Sequence, residues 1–448
     1  MAILASAPII VLLHFALFAI GVTSNALYSY EHSDDRLILF STVQDQGILT
    51  LSFDPSKPAS QSLEIIRTDN AAGSNPQWVT QYETNIYSVS RQDFSVTDTN
   101  DGGIFAFAQD WDWSWGSSSL KQLDAIESGG KGGVFCDVSR DGRTLSAANM
   151  FVVFSPLACW YSDKLNSDGS TVSIHPRFPN GALGDASYTF KYTLQKPGPG
   201  TNGSQVQGNP HESMFEPSGE YMFVPDRGAD RLYVYHVCGP LSVTQIQTLE
   251  VEPGTGPRHL TFRVFNDTRT YMYLVSKLDN SVCVFTLDGV DNKYDRNCAD
   301  LHNITVTLTQ RISTLGANLN RTAPDNKNVA AEVALSNDGR FAYVANRNAI
   351  SYSSDTLAIY AVNPGLHDDL NHLTYLGYNL TFGKTPRHFS LSKDPETRYV
   401  AIGNEVSNTI VILERDEASG FFTAFRGNLT LGSFDVTTTT GPTCVIWT

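Results

Sequence analysis

One motif recurs along this 448-residue chain and leaves few folds open to it. A short strand opens after a Gly/Asn-Pro or Gly-Gly turn, and a turn of the D-G-R or P-S-G kind follows. Then comes a β-rich strand ending in a small or polar residue, a second turn, and a strand of V-x-V type. The clearest copy is NPHESMFEPSGEYMFVPDRGADRLYVY, from Asn209. GPRHLTFRVFNDTRTYMYLVSKLDNSVCVF from Gly256, VAAEVALSNDGRFAYVANRNAISYSSDTLAIY from Val329 and KTPRHFSLSKDPETRYVAIGNEVSNTIVIL from Lys384 repeat it. Weaker copies begin at Asn75 (NPQWVTQYETNIYSVS) and Gly132 (GGVFCDVSRDGRTLSAAN). Alternating segments of strand length between turn residues read as all-β. The linking segments LSVTQIQTLEV and TVTLTQRISTL supply a fourth strand, and four-stranded units in series predict a propeller.

The two ends of the chain complete each other. LILFSTV, GILTLSF and SLEIIRT near the N-terminus lack a preceding turn-Pro strand, and GPTCVIW (Gly441 to Trp447) has the form of that missing inner strand. Joining them predicts seven four-stranded antiparallel blades, one composite and six continuous, with the C-terminal strand closing the ring. Closure removes the open sheet edges that would otherwise invite aggregation. One segment breaks the repeat. After Ala147-Ala148-Asn149 the next strand, DGSTVSI, starts only at Asp168, so residues 150–167 (MFVVFSPLACWYSDKLNS) are expected to be an insertion that sits outside the blade.

Ile3 to Val22 is mostly apolar, and small residues follow at Thr23 to Ala26, so residues 1–26 read as a cleaved signal peptide and 27–448 as a single propeller domain. No Lys or Arg precedes the apolar run, and the alternative is a signal anchor about 20 residues long. Export to the cell exterior or wall is therefore expected, with no membrane association after cleavage. Of the six cysteines, Cys283 and Cys298 close the shortest loop and are the expected disulfide. Six N-x-S/T sites (Asn202, Asn266, Asn303, Asn320, Asn379, Asn428) are compatible with a glycoprotein.

A formal charge of -15 disfavours nucleic-acid partners. No C-x-x-C pair, H-E-x-x-H, G-x-S-x-G or G-x-G-x-x-G pattern is present, so neither a cofactor nor a metal is implied. Gly129 to Gly133 lacks phosphate-loop spacing. Asp226-Arg227-Gly228-Ala229-Asp230 reads as an inter-strand turn before a metal loop, and Trp111, Trp113 and Trp115 as a blade-packing stripe before a sugar platform.

At its repeats the chain resembles the seven-bladed lactonase family, which includes bacterial 6-phosphogluconolactonase-type proteins and the fungal carboxy-cis,cis-muconate cyclase. NPHESMFEPSGEYMFVPDRGADRLYVY, GPRHLTF and DGRFAYVANR carry the resemblance, which extends from about Leu37 to Trp447. It implies a site at one end of the central channel containing His211, Arg258 and Arg347. The cyclase branch implies a Glu where Lys277 stands here. Arg forks hold carboxylates, and a His or carboxylate moves the proton. A buried Lys277 beside arginines would have a lowered pKa and could act as a base. Glu405 shares its repeat offset with Lys277 and Arg347, and Arg387-His388 repeats Arg258-His259, so the predicted site has His211, Arg258, Arg347 and Lys277 as catalytic residues, with Glu212, Arg387 and Glu405 binding substrate.

The expected substrate is a small carboxylated molecule or a lactone, and the reaction lactone hydrolysis or intramolecular cyclisation. The rival expectation is a secreted or cell-wall propeller that binds a protein or glycan and has lost the chemistry. Structural alternatives stay open at each position: a turn histidine for His211, braces to backbone carbonyls for Arg258 and Arg387, and an Arg347–Glu405 ion pair across the channel.

Overall fold

A computed structural model of the chain describes residues 36–94, 101–112, 117–150, 169–200, 204–293, 304–316, 328–348, 353–363, 371–432 and 440–448, and every structural statement below concerns these residues. The signal segment 1–26, nearly all of the insertion 150–167, Cys159, Cys298, Trp113, Trp115 and the sites Asn202, Asn303 and Asn320 lie outside them.

The strands form seven four-stranded antiparallel sheets. Blade 1 is composite: Pro442–Trp447 pairs with Leu37–Val43, which pairs in turn with Gly47–Phe53 and Leu63–Asp69. The first strands of blades 2 to 7 are Ser74–Tyr82, Gly133–Val138, Met214–Phe215, Pro257–Asn266, Val329–Leu335 and Pro386–Leu391. The two linking segments become fourth strands, Ser242–Glu250 in blade 4 and Thr305–Ser313 in blade 5. The inserted stretch falls between Thr144–Met150 and Ser170–Pro176, which pair directly from Met150↔Ser170 onward.

The alternation within each strand explains the stacking. Both faces of a blade's middle strands are apolar, so each sheet must be covered on two sides. The buried apolar residues accordingly separate into seven clusters, one between each pair of neighbouring blades. Tyr399, Ile410 and Ile412 of blade 7 pack with Leu39, Leu51, Phe53 and Trp447 of blade 1, and blade 1 packs through Phe40, Ile48 and Cys444 on Val79, Ile86 and Phe107 of blade 2. The C-terminal strand thus contributes to two of the seven interfaces.

Each first strand begins, and each second strand ends, at the same end of the ring, which is called the rim here. The D-G-R and P-S-G turns lie at the other end. At the rim the turn between second and third strands is short: Arg227 to Asp230, Lys277 to Asn280 and Glu405 to Asn408. Each ends on an Asp or Asn with positive φ (52°, 55° and 53°), a conformation these residues tolerate best after Gly. Asp226 accepts the N–H groups of Asn209, Gly228 and Ala229 at 2.7–3.0 Å, so the Asp226–Asp230 segment is the inter-strand turn expected of it.

Asn266 and Asn428 are exposed. Asn379 is committed elsewhere: its amide donates to the Phe422 carbonyl at 2.9 Å and accepts the Phe422 N–H at 2.9 Å, clamping blade 6 to blade 7. Among the described residues no helix is long and apolar enough to cross a membrane, and no group of His, Cys, Asp and Glu side chains could hold a metal ion.

Candidate active site at the rim of the channel

One backbone irregularity recurs in all seven blades and builds the site. Where the first strand leaves its opening Pro, Gly or Ala, the pairing with the second strand slips by one residue. Pro257 faces Ser276 but His259 faces Val275, and the same slip separates Pro386 from His388, Pro76 from Trp78, Gly133 from Phe135, Ala330 from Val333 and Pro442 from Cys444. In blade 4 it separates the Pro210↔Asp226 bridge from Met214↔Phe223, which is why the strand expected from Asn209 shortens to two residues. Such bulges leave a residue unpaired and re-aim side chains.

The repeated bulge stacks three tiers along the axis. The rim tier follows the second strands: Gln44, Arg91, Met150, Arg227, Lys277, Arg347 and Glu405. The middle tier includes Gln77, His211, Arg258 and Arg387. The floor holds Trp78, Phe135, Glu212, His259, Glu332, His388 and Cys444. Hydrogen bonds and ring contacts between non-adjacent blades place these side chains near the axis. Arg387 of blade 7 donates to Gln77 of blade 2 at 2.5 Å, and Trp78 of blade 2 meets His259 of blade 5 edge-on at 5.4 Å between centroids. Gly256 serves the rim directly. Its φ is 63°, a Cβ there would lie 2.6 Å from Leu278, and its carbonyl accepts the Lys277 N–H at 2.8 Å.

Six cations converge: Arg91, Arg227, Arg258, Lys277, Arg347 and Arg387. Arg387 pairs with Glu405 at 2.9 Å, and Gln44 donates to the same carboxylate oxygen. Arg258 and Arg347 donate to the Ala331 and Ala330 carbonyls. The side chains of Arg227 and Lys277 have no hydrogen-bond or carboxylate partner among the described residues, and the Nε atoms of Arg227 and Arg347 are buried without one. Burial and the neighbouring guanidiniums pull Arg91, Arg227 and Arg347 down to about 10. Burial, then the charges of Arg227, Arg347, Arg258 and Arg387, hold the Lys277 ammonium well below the usual lysine range. Of the six, only Arg387 makes a carboxylate ion pair among the described residues, and a buried cluster so incompletely neutralised favours an anion.

Beneath it lies a polar chain. His211 Nδ1 is 2.9 Å from His259 Nε2, and His259 Nδ1 is 2.7 Å from Glu332 Oε2. His388 Nε2 lies 3.7 Å from the same carboxylate oxygen. Burial, with the Arg258 charge second, keeps His211 and His259 well below the usual histidine range, and burial takes His388 to about 4. All three are neutral at neutral pH.

The seven sequence-predicted residues lie toward one end of the ring, and two placements differ from expectation. Glu212 is 2% exposed, and its carboxylate accepts the Leu260 N–H across the blade 4–blade 5 seam at 2.6 Å; burial pushes its pKa well up. It braces the floor, and of the cluster's cations Arg258 acts on it. The expected Arg347–Glu405 alternative does not form, because Glu405 is taken by Arg387. Sequence reasoning missed Arg91, Gln77, Trp78 and Glu332, and took Arg227 only as a turn residue. For Arg91, Arg227, Gln77 and Trp78 the available signal is a repeat offset equal to that of Lys277 or of the P-R-H pairs.

The chain matches the family described as "Lactonase, 7-bladed beta-propeller" over residues 37–446. It is 26% identical over 84% of its length to a 6-phosphogluconolactonase of Bacillus subtilis, covering 90% of that protein. It is 24% identical over 68% of its length to one of Formosa agariphila, covering 72% of it. Among solved structures, a periplasmic gluconolactonase of Pseudomonas aeruginosa superposes with a TM-score of 0.70 at 23% identity, over 92% of this chain and 99% of that one.

Proposed function

The chain belongs to the seven-bladed β-propeller lactonases, and from that premise we propose that it hydrolyses the lactone of a small anionic acid, bound at the rim end of its channel. The observation that carries the reading is the pairing of an incompletely neutralised cation cluster with a neutral imidazole directly beneath it. Arg227, Lys277 and Arg347 hold the anionic group of the substrate. Arg258 and Arg387 lie beside His211 and balance the charge that develops on the carbonyl oxygen.

The steps follow from the groups present. His211 Nε2 takes a proton from water, and the hydroxide adds to the lactone carbonyl carbon, giving a tetrahedral oxyanion. The carbonyl re-forms as the ring C–O bond breaks, and the departing alkoxide takes the proton back from His211. Water is consumed and a hydroxy acid leaves. The names of the Bacillus and Formosa relatives make a phosphorylated sugar lactone the first substrate to test. Cyclisation of a carboxymuconate is the weaker reading, because Lys277 stands where that branch has a carboxylate. Export of the protein is part of the same proposal and rests on residues 1–26.

The test is turnover by the purified protein on phosphorylated, carboxylated and neutral lactones and on carboxymuconate. Anionic lactones should be hydrolysed in preference to neutral ones, and His211→Ala should lower kcat by about 10²–10⁴. No turnover on any of them, with tight binding of a glycan or protein, selects the binding propeller instead.

A further inference from the structure

We propose that Glu332 is the positioning residue of the site: its carboxylate fixes the tautomers of two histidines in series, so that His211 presents a bare Nε2 toward the cation cluster. The inference rests on the lactonase reading and adds to it a group that neither the repeat nor the family resemblance singled out.

With Glu332 ionised, the hydrogen bonds admit one self-consistent proton assignment. The Val445 N–H donates to His388 Nδ1 at 3.2 Å, so neutral His388 carries its proton on Nε2, the nitrogen facing Glu332. The Val333 N–H donates to Glu332 Oε1 at 3.0 Å. Glu332 Oε2 is left to accept from His259 Nδ1 at 2.7 Å. Neutral His259 then has a lone pair on Nε2, and the 2.9 Å contact requires His211 to donate from Nδ1. His211 Nε2 has no partner among the described residues and keeps its lone pair.

Burial is the largest influence and raises the Glu332 pKa above its ordinary value; His388, Arg258, the Val333 N–H and Arg347 favour its anion, and Glu212 opposes it. When His211 takes a proton, the positive charge appears at the end of a chain already anchored by this carboxylate. Orientation and charge are both supplied in advance, as in a carboxylate–histidine pair acting behind a nucleophile.

Two measurements test it. In the wild-type protein, 15N NMR of the side chains should find both His211 and His259 as Nδ1–H tautomers, the minor form of a free neutral imidazole. Glu332→Gln keeps the shape and removes the charge. It should lower kcat by about 10–100-fold with KM changed less than about threefold, and should shift the acidic limb of the pH–rate profile to lower pH, because an imidazole that loses a neighbouring anion is harder to protonate. Glu332→Asp should restore part of the rate. A purely structural role would reduce the amount of folded enzyme and leave the limb in place. Nε2–H tautomers in the wild type, or an active Glu332→Gln enzyme with unchanged kcat and limb, overturns the relay and leaves the lactonase reading standing. A wild-type protein without lactonase turnover removes that reading, and the relay with it.

Discussion

The indole of Trp78 meets the imidazole of His259 edge-on across the propeller axis, with ring centroids 5.4 Å apart and planes at 86°. The two residues belong to blades 2 and 5. Trp78 also packs on Phe135 at 4.6 Å and on His388 at 4.7 Å, so rings from blades 2, 3, 5 and 7 meet at this tier and form the floor of the site. Trp78→Ala should cost about 3 kcal/mol, the range for deleting a packed aromatic. It should also lower kcat more than Trp78→Phe does, since the floor positions His259 against His211. Denaturant midpoints and steady-state rates on both variants check this; equal kcat in the two would separate the floor from the chemistry.

Lys277 is the rim cation whose charge is easiest to remove. Lys277→Ala should raise KM for an anionic lactone about 10–100-fold, the worth of a charge-assisted hydrogen bond, with little effect on a neutral one. Its pKa is lowered, and an ammonium is charged only below its pKa. Wild-type KM should therefore begin to rise with pH before the usual lysine range is reached, whereas Lys277→Arg should stay flat. KM–pH profiles that run parallel in the two proteins would remove Lys277 from substrate binding.

Asp226 has a fully buried carboxyl whose three N–H donors all reach Oδ1. Burial raises it from 3.8 to about 6. Below 3.8 both folded and unfolded forms are protonated. Between 3.8 and 6 unfolding releases a proton, so stability falls as pH climbs through that window, by about 3 kcal/mol for a displacement of this size. Asp226→Asn keeps the accepting oxygen and removes the charge. It should match wild type near pH 3.5 and exceed it at pH 7, as read from unfolding midpoints across that range. A lower midpoint at pH 7 would show that the charge holds the turn.

The ring closes through Trp447, whose ring packs on Phe53 and Tyr399 and whose indole donates to the Ser390 carbonyl at 3.1 Å. Trp447→Ala should cost about 3–5 kcal/mol. Because Val445 on the same strand hydrogen-bonds His388, loss of this strand by truncation should abolish activity as well as cooperative unfolding. Residual full activity in a protein lacking the last seven residues would contradict both.

Much of this is legible in the amino-acid sequence. The orphan GPTCVIW strand announced the composite blade, and equal repeat offsets announced that Lys277, Arg347 and Glu405 share one end of the channel. The bulge was not legible, because it appears only in the pairing of first and second strands. Without it Glu332, in VAAEVAL, looks like a polar residue alternating outward on an ordinary strand. With it, Glu332 takes the place that His259 and His388 hold in their blades. Arg91 and Gln77 were hidden for a different reason: their blade carries one of the two weaker copies of the repeat.

The repeat by itself determined the number of blades, the way the ring closes and which end of the axis Lys277, Arg347 and Glu405 share, because turn spacing fixes position around the ring and along it. Only the tertiary structure decided who meets whom at the centre: Arg387 with Glu405, Trp78 with His259, Glu332 with both His259 and His388. Those partnerships cross blades that are distant in sequence, and they depend on side-chain directions and separations of a few tenths of an ångström. A periodic pattern encodes neither.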